Sequence, residues 1–171
     1  MDMLTLLLLA VMPALVIVAG LRDLTTMTIP NWISAALIVA FFPAALASGL
    51  DWASVAAHVG VALAALFVGA GMFALRWIGG GDAKLIAAAC LWLGVTGSGM
   101  FLLWTGLAGG IFCLMLIFAR AYARPYVVGG QGWFPRLMEP KGDIPYGVAI
   151  AIGALLAYPA CDLVAGFASG V

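Results

Sequence analysis

The sequence predicts an all-α, polytopic membrane protein of six transmembrane helices with both termini on the non-cytoplasmic side. Three observations predict it. Of 171 residues, 66% are hydrophobic and only 8% charged, whereas a soluble domain gives about a quarter of its residues to charge. The apolar residues fall into runs near the roughly 20 residues that a helix needs to cross a hydrocarbon core of about 30 Å. Finally, the seven Lys and Arg residues all lie in connections that six crossings bring to one face, matching the cytoplasmic enrichment of cations.

The first span is expected over residues 3–20. No positive cluster precedes it, so it reads as a retained span and not as a cleaved signal peptide. The second covers 32–50 and the third 52–75, parted by Gly49 and Asp51. After Gly79-Gly80-Gly81-Asp82 the chain is apolar over 85–119, too long for one ordinary span, and Thr96-Gly97-Ser98-Gly99 is the expected break. This gives a short fourth span over 83–95 and a fifth over 100–119. Residues 120–143 hold Arg124, Pro125, Gly129, Gly130, Pro135, Arg136, Pro140 and Lys141, which is loop chemistry. The sixth span follows over 144–168.

With that count, Arg22 follows the first span, Arg76 and Lys84 bracket the third connection, and Arg120, Arg124, Arg136 and Lys141 fill the fifth. The opposite connections, around Asp51 and 96–99, carry no Lys or Arg. One span more or fewer would scatter the cations, so the charge pattern fixes the count more firmly than any boundary. Residues 1–171 read as a single membrane-embedded domain without a separate soluble one.

Seven acidic residues balance the seven basic ones, so no basic face is available for nucleic acid. Cys90, Cys113 and Cys161 each stand alone in apolar runs, without a CxxC pair or a neighbouring His. They read as small core residues, and neither a metal nor a cofactor is expected. Gly106, Gly109 and Gly110 read as helix-packing positions. The oligomeric state is not legible.

The candidate chemistry is carried by two carboxylates. Asp23 follows the first span and Asp82 precedes the fourth, and the two crossings between them return the chain to its starting face. Taken singly, Asp82 reads as a helix cap and Asp23 as a solvated group beside Arg22. If they meet in a low-dielectric site, they cannot both ionise freely and titrate as a unit. The ionised member then takes a proton from an attacking water while the protonated member donates to a peptide carbonyl.

Around them stand Asp23-Leu24-Thr25-Thr26-Met27-Thr28-Ile29-Pro30-Asn31 and Gly79-Gly80-Gly81-Asp82-Ala83-Lys84-Leu85. An Asp followed six residues later by Ile-Pro-Asn, and a Gly-x-Gly-Asp followed by x-Lys-Leu, resemble in order the two signature segments of the prepilin peptidases. Gly79 and Gly81 let backbone approach a substrate strand closely, and Pro30 with Asn31 suits a helix entry. Ile144-Pro145-Tyr146-Gly147 is similar to a further Pro-Tyr-Gly segment of the family, so the resemblance is expected to cover nearly the whole chain. In length the chain resembles the small Flp/Tad-type members; no paired cysteines accompany the motifs, so the peptidase step alone is implied. The resemblance implies cleavage of the basic leader from a prepilin or pilin-like precursor at the face of the bacterial inner membrane where Asp23 and Asp82 act as the catalytic pair. Ile29, Pro30, Asn31, Gly79, Gly81, Lys84, Pro145, Tyr146 and Gly147 are then its supporting residues.

Other polar residues have plainer readings. Lys84 either lowers the charge cost at Asp82 or snorkels to the interface. Glu139 and Asp143 share the face of the aspartates and suit a cationic leader, although Asp143 reads first as a helix cap. His58 is expected neutral and packed. The six Trp residues fall mostly near predicted interfaces, and Trp133 with Phe134 fits either anionic lipid or a plain solvated loop. A small ion- or proton-coupled transporter stays open as the alternative, because intramembrane carboxylates also mark ion paths.

Overall fold

A computed structural model describes residues 3–127, 132–139 and 142–164, and among these the chain is helical with no strand. The order is α1 (Met3–Thr26), α2 (Asn31–Ala47), α3 (Trp52–Ala74), α4 (Gly80–Val127), α5 (Trp133–Leu137) and α6 (Tyr146–Ala157), closed by a 3-10 turn over Tyr158–Ala160.

Three segments are long and apolar enough to cross a membrane, Met3–Thr26, Trp52–Ala74 and Gly80–Tyr122; Asn31–Ala47 and Tyr146–Ala160 are shorter apolar helices. Large apolar side chains cover the outer surface, among them Val39, Phe67, Leu103, Ile111 and Phe118. That distribution suits lipid and would be costly in water. The chain is a membrane protein.

Several boundaries differ from expectation, each for a local reason. α1 continues to Thr26, so Asp23 lies within the helix and not after it. The Thr25 and Thr26 hydroxyls bond back to the carbonyls of Leu21 and Arg22, which lets the turn continue until Met27 takes φ 55°. α2 begins at Asn31 behind Pro30, and ends at Ala47, three residues early. α3 matches its expected span closely, its start capped by Asp51 accepting from the Ser54 amide at 3.4 Å.

The break in the long apolar run is at Gly94, not at residues 96–99. Gly94 leaves helical geometry with φ 66° and ψ −166°, a conformation open to glycine at little cost. A side chain there is also excluded by space, since an added Cβ would stand 2.6 Å from His58 Nε2. Because the ladder is interrupted, the Leu91 carbonyl is bonded from outside the helix, with His58 Nδ1 2.8 Å away. The first arm, 80–93, rises about 21 Å at 1.5 Å per residue.

Contacts between the segments give their directions. Along α6, Leu9 meets Tyr158 and Asp23 meets Gly147 from α1, so α1 and α6 are antiparallel. Asn31 meets Lys84 and Leu37 meets Trp92, so α2 runs parallel to the first arm. Gly69 packs on Ala83, and His58 on Leu91, so α3 runs against it. Gly97 lies against Cys161 and Gly109 against Ala149, which sends the second arm back along α6. α1, α2, α3, the two arms and α6 therefore alternate between the same two ends. The core between them holds Met12, Val16, Leu37, Phe41, Leu85, Trp92 and Ile150, all essentially inaccessible.

The expected loop after 119 is largely helix. α4 runs on to Val127, and α5 follows. Arg120 organises the return: its guanidinium donates to the carbonyls of Leu137 (2.9 Å), Gly142 (2.9 Å) and Asp143 (2.8 Å). α6 starts at Tyr146, two residues later than expected, with Pro145 ahead of it. It gives way at the 3-10 turn containing Pro159, and residues 165–168 of the expected span lie outside the described residues. Lys141 lies outside them as well.

Cys90 and Cys161 are buried free thiols, as expected of core residues, whereas Cys113 is half-buried. Of the three glycines read as packing positions, only Gly109 packs, against Ala149 and Tyr146; Gly106 and Gly110 face open space. Trp92 departs from the interfacial reading: it is fully buried, and its indole N–H donates to the Leu37 carbonyl at 2.9 Å.

Candidate active site

One end of the bundle gathers the C-terminal parts of α1 and α3 with the N-terminal turns of α2, α4 and α6. A cavity of about 340 Å³ opens there, lined by Asp23, Met27, Arg76, Trp77, Ile78, Gly79, Asp82, Asp143, Ile144, Pro145 and Tyr146. The two carboxylates singled out from sequence thus face one space, 59 positions apart in the chain.

Each carboxylate is held by one backbone amide. Asp23 is 6% exposed, and its Oδ2 accepts from the Gly147 amide at 2.7 Å. That amide belongs to the first turn of α6, where N–H groups lack intrahelical partners and the helix dipole favours negative charge. Asp23 therefore caps α6 from a neighbouring helix. The arrangement needs glycine at 147: an added Cβ would lie 2.8 Å from Asp23 Cβ and 2.9 Å from Oδ2.

Asp82 sits in the first turn of α4, and its Oδ2 accepts from the Gly79 amide at 3.2 Å. The Gly79 carbonyl takes the Ala83 amide at 3.1 Å, so Gly79 occupies the cap position and Asp82 reaches back to it, as an acidic residue does in a capping box. The capping reading of Asp82 holds, and it does not exclude chemistry. Among the described residues, Oδ1 of neither aspartate has a protein donor.

The two signature segments interlock. Gly81 lies against Ile29, whose Cβ would stand 3.1 Å from an added Cβ, and Ile29 Cδ1 also reaches to the Gly147 position. Lys84 turns away from Asp82 and donates from Nζ to Asn31 Oδ1 at 2.9 Å. Its place is a tie between α2 and α4, neither a partner for Asp82 nor a free snorkelling chain. Pro30 stands ahead of α2 with φ −65°, at the N-cap position. Asp143 departs from the capping reading: α6 is capped by Asp23 and not from its own N-cap side, the Asp143 carbonyl is taken by Arg120, and the residue lines the cavity.

Three features had no sequence signal strong enough to find them. Met27 and Arg76 take φ 55° and 61°, a region that costs a side-chain-bearing residue about 1–3 kcal/mol and persists where its surroundings over-determine it. Both line the cavity, so strain is concentrated at its rim. Arg120 was visible only as a cation ending an apolar run. His58 is buried at the other end, stacked on Phe41 at 5.5 Å between ring centres, so it takes no part here. Among the described residues, no three His, Cys, Asp or Glu side chains come together as a metal set would require.

Comparison with known families supplies the deciding observation. Residues 10–114 match the model of the type IV leader peptidase family. The chain belongs to that family. Its general role is therefore that of a leader peptidase, a protease. The matched stretch contains Asp23, Ile29, Asn31, Gly79, Asp82 and Lys84, but stops before Pro145, Tyr146 and Gly147, so the resemblance is shorter than the motifs implied. No curated protein and no solved structure matches the chain significantly.

Proposed function

We propose that this leader peptidase is an aspartic endopeptidase that cuts the basic leader from pilin-like precursors, with Asp23 and Asp82 as its catalytic pair. The observation that carries the reading is the convergence of both carboxylates on one cavity, each with an oxygen turned away from its backbone donor. A water between them loses a proton to the ionised member as it attacks the scissile carbonyl, whose oxygen takes the proton of the other member; on collapse the first member passes its new proton to the leaving amine and the second recovers one from the diol hydroxyl. Gly79 leaves the cavity edge without a side chain, so a substrate strand can lie close to the carboxylates. Asp143, on the cavity lining, and Glu139 supply acidic groups for a cationic leader to pair with.

The alternating segments are read as six crossings of a bacterial inner membrane, forming one domain with both termini on the non-cytoplasmic side. Arg22, Arg76, Lys84 and Arg120 lie at the aspartate end, as a cytoplasmic face requires. The exposed Trp133 and Phe134, at 45% each, suit contact with the lipid interface.

The test uses purified protein and a full-length pilin-like precursor. Leader release is expected from the unmodified protein, and Asp23→Asn and Asp82→Asn should each leave the precursor uncut. Cleavage retained by either variant would remove the mechanism, and carboxylate-dependent ion flux without cleavage would favour the transporter reading. Labelling of Asp51→Cys from the non-cytoplasmic side alone is expected; labelling from the aspartate side would overturn the topology.

A further inference from the structure

The second arm of α4 contributes no residue to the lining of the aspartate cavity, yet one of its side chains holds a wall of that cavity. Asp143, Ile144, Pro145 and Tyr146 line the space in succession. Gly147, the next residue, donates its amide to Asp23 at 2.7 Å. Among the described residues, the hydrogen bonds that tie 142–146 to another element come from Arg120, which donates to the carbonyls of Gly142 at 2.9 Å and Asp143 at 2.8 Å. The Gly142 amide closes locally, on the Glu139 carbonyl at 3.0 Å.

The geometry asks for arginine. Nη1 and Nη2 serve Gly142 and Asp143, and Nε serves Leu137 at 2.9 Å, so one rigid planar fork fixes three backbone points at once. The guanidinium is half-buried, and among the described residues no carboxylate pairs with it. Its charge is met by carbonyl dipoles, as a cation withdrawn from water requires. Arg120 also stands on the face of the arm that packs on α6, because Gly109, about three turns earlier, lies against Ala149 and Tyr146. The arm therefore grips the start of α6 on both sides of Pro145, whose ring holds φ at −73° and stiffens the link.

We infer that Arg120 is a positioning residue of the peptidase: it sets the wall from Asp143 to Tyr146 and, through the Gly147 amide, the place of Asp23. The inference rests on the peptidase reading above. A short stretch containing a proline passes a shift at Asp143 on to Gly147 and absorbs little of it. Arg120 acts from the far side of that wall and touches neither carboxylate, so its loss misplaces Asp23 and leaves the chemical groups intact.

Cleavage of a full-length pilin-like precursor by the detergent-solubilised protein is measured well below the melting temperature of every variant, where a contribution to stability alone leaves the rate unchanged. Arg120→Ala should lower kcat by about 10- to 100-fold with KM within about threefold of the parent. Millimolar guanidinium ion, which refills the place of the fork, should return at least about tenfold of that rate to Arg120→Ala and none to Asp82→Asn. Adding Gly147→Ala to Arg120→Ala should cost no more than about threefold beyond the worse single variant, since both act on one contact. Arg120→Lys, which keeps the charge and cannot span three carbonyls, carries the same kcat and double-variant measurements should Arg120→Ala not fold. Turnover within about threefold of the parent, a loss confined to KM, or losses that multiply with Gly147→Ala overturn the inference. Guanidinium that raises the melting temperature of Arg120→Ala without raising kcat overturns it as well. With a parent that cuts the precursor, any of these sinks the positioning role alone; a parent that never cuts it sinks the peptidase reading and this role together.

Discussion

Gly147→Ala is the most informative single change, because it moves Asp23 without altering either carboxylate. The added methyl would stand 2.8 Å from Asp23 Cβ, 2.9 Å from Asp23 Oδ2 and 3.0 Å from Ile29 Cδ1. Ordinary carbon contacts begin near about 3.5 Å, so α6 and the aspartate must separate by roughly 0.7 Å. The 2.7 Å bond from the Gly147 amide then stretches to about 3.4 Å, the weak end of hydrogen bonding, and loses part of the about 1.5–3 kcal/mol that a charged acceptor contributes. A displacement near 1 Å at a reacting group lowers the rate about 100-fold. The expected result is kcat for precursor cleavage down by about that factor, KM little changed, and thermal stability lowered by about 1–3 kcal/mol from overpacking. Cleavage kinetics and a melting curve in detergent measure both. A variant that melts below the parent yet cleaves within about threefold of it would refute the claim that α6 positions Asp23.

Gly94→Ala combines an unfavourable φ of 66° with a clash against His58, and should lower stability by about 2–4 kcal/mol; adding His58→Ala should recover part of that loss in the same melting assay. Arg120→Lys replaces a planar donor serving three carbonyls by a point charge that cannot span them, so trypsin should cut at Arg136 markedly faster than in the parent. Asn31→Ala and Lys84→Met should each destabilise the protein, and a double-mutant cycle should show coupling of about 0.5–1.5 kcal/mol. Additive losses would deny the tie between α2 and α4.

Length and composition made the helical membrane class legible, because apolar runs and cation placement are properties of the chain itself. Asp23 and Asp82 were legible by the same logic: two crossings return a chain to the same face. Boundaries were less so. Thr25 and Thr26 look like loop residues, yet their hydroxyls are satisfied within the helix. The four polar or small residues at 96–99 looked like a break, whereas the chain breaks at Gly94, where His58 from α3 occupies the space a side chain would need. Lys84 shows the limit most clearly, since proximity to Asp82 in sequence suggested an electrostatic partner and the fold gives it Asn31. A partner 53 residues away leaves no trace in local pattern.

In the proposed mechanism Asp23 and Asp82 act as one catalytic unit. Single-turnover cleavage by Asp23→Asn, Asp82→Asn and the double variant tests it directly, with melting curves confirming that each is folded. If the two carboxylates work as a pair, either single substitution removes at least about 10³-fold of the rate and the double variant is no slower than the worse single. A single variant within about tenfold of the parent, or losses that multiply in the double, would contradict it.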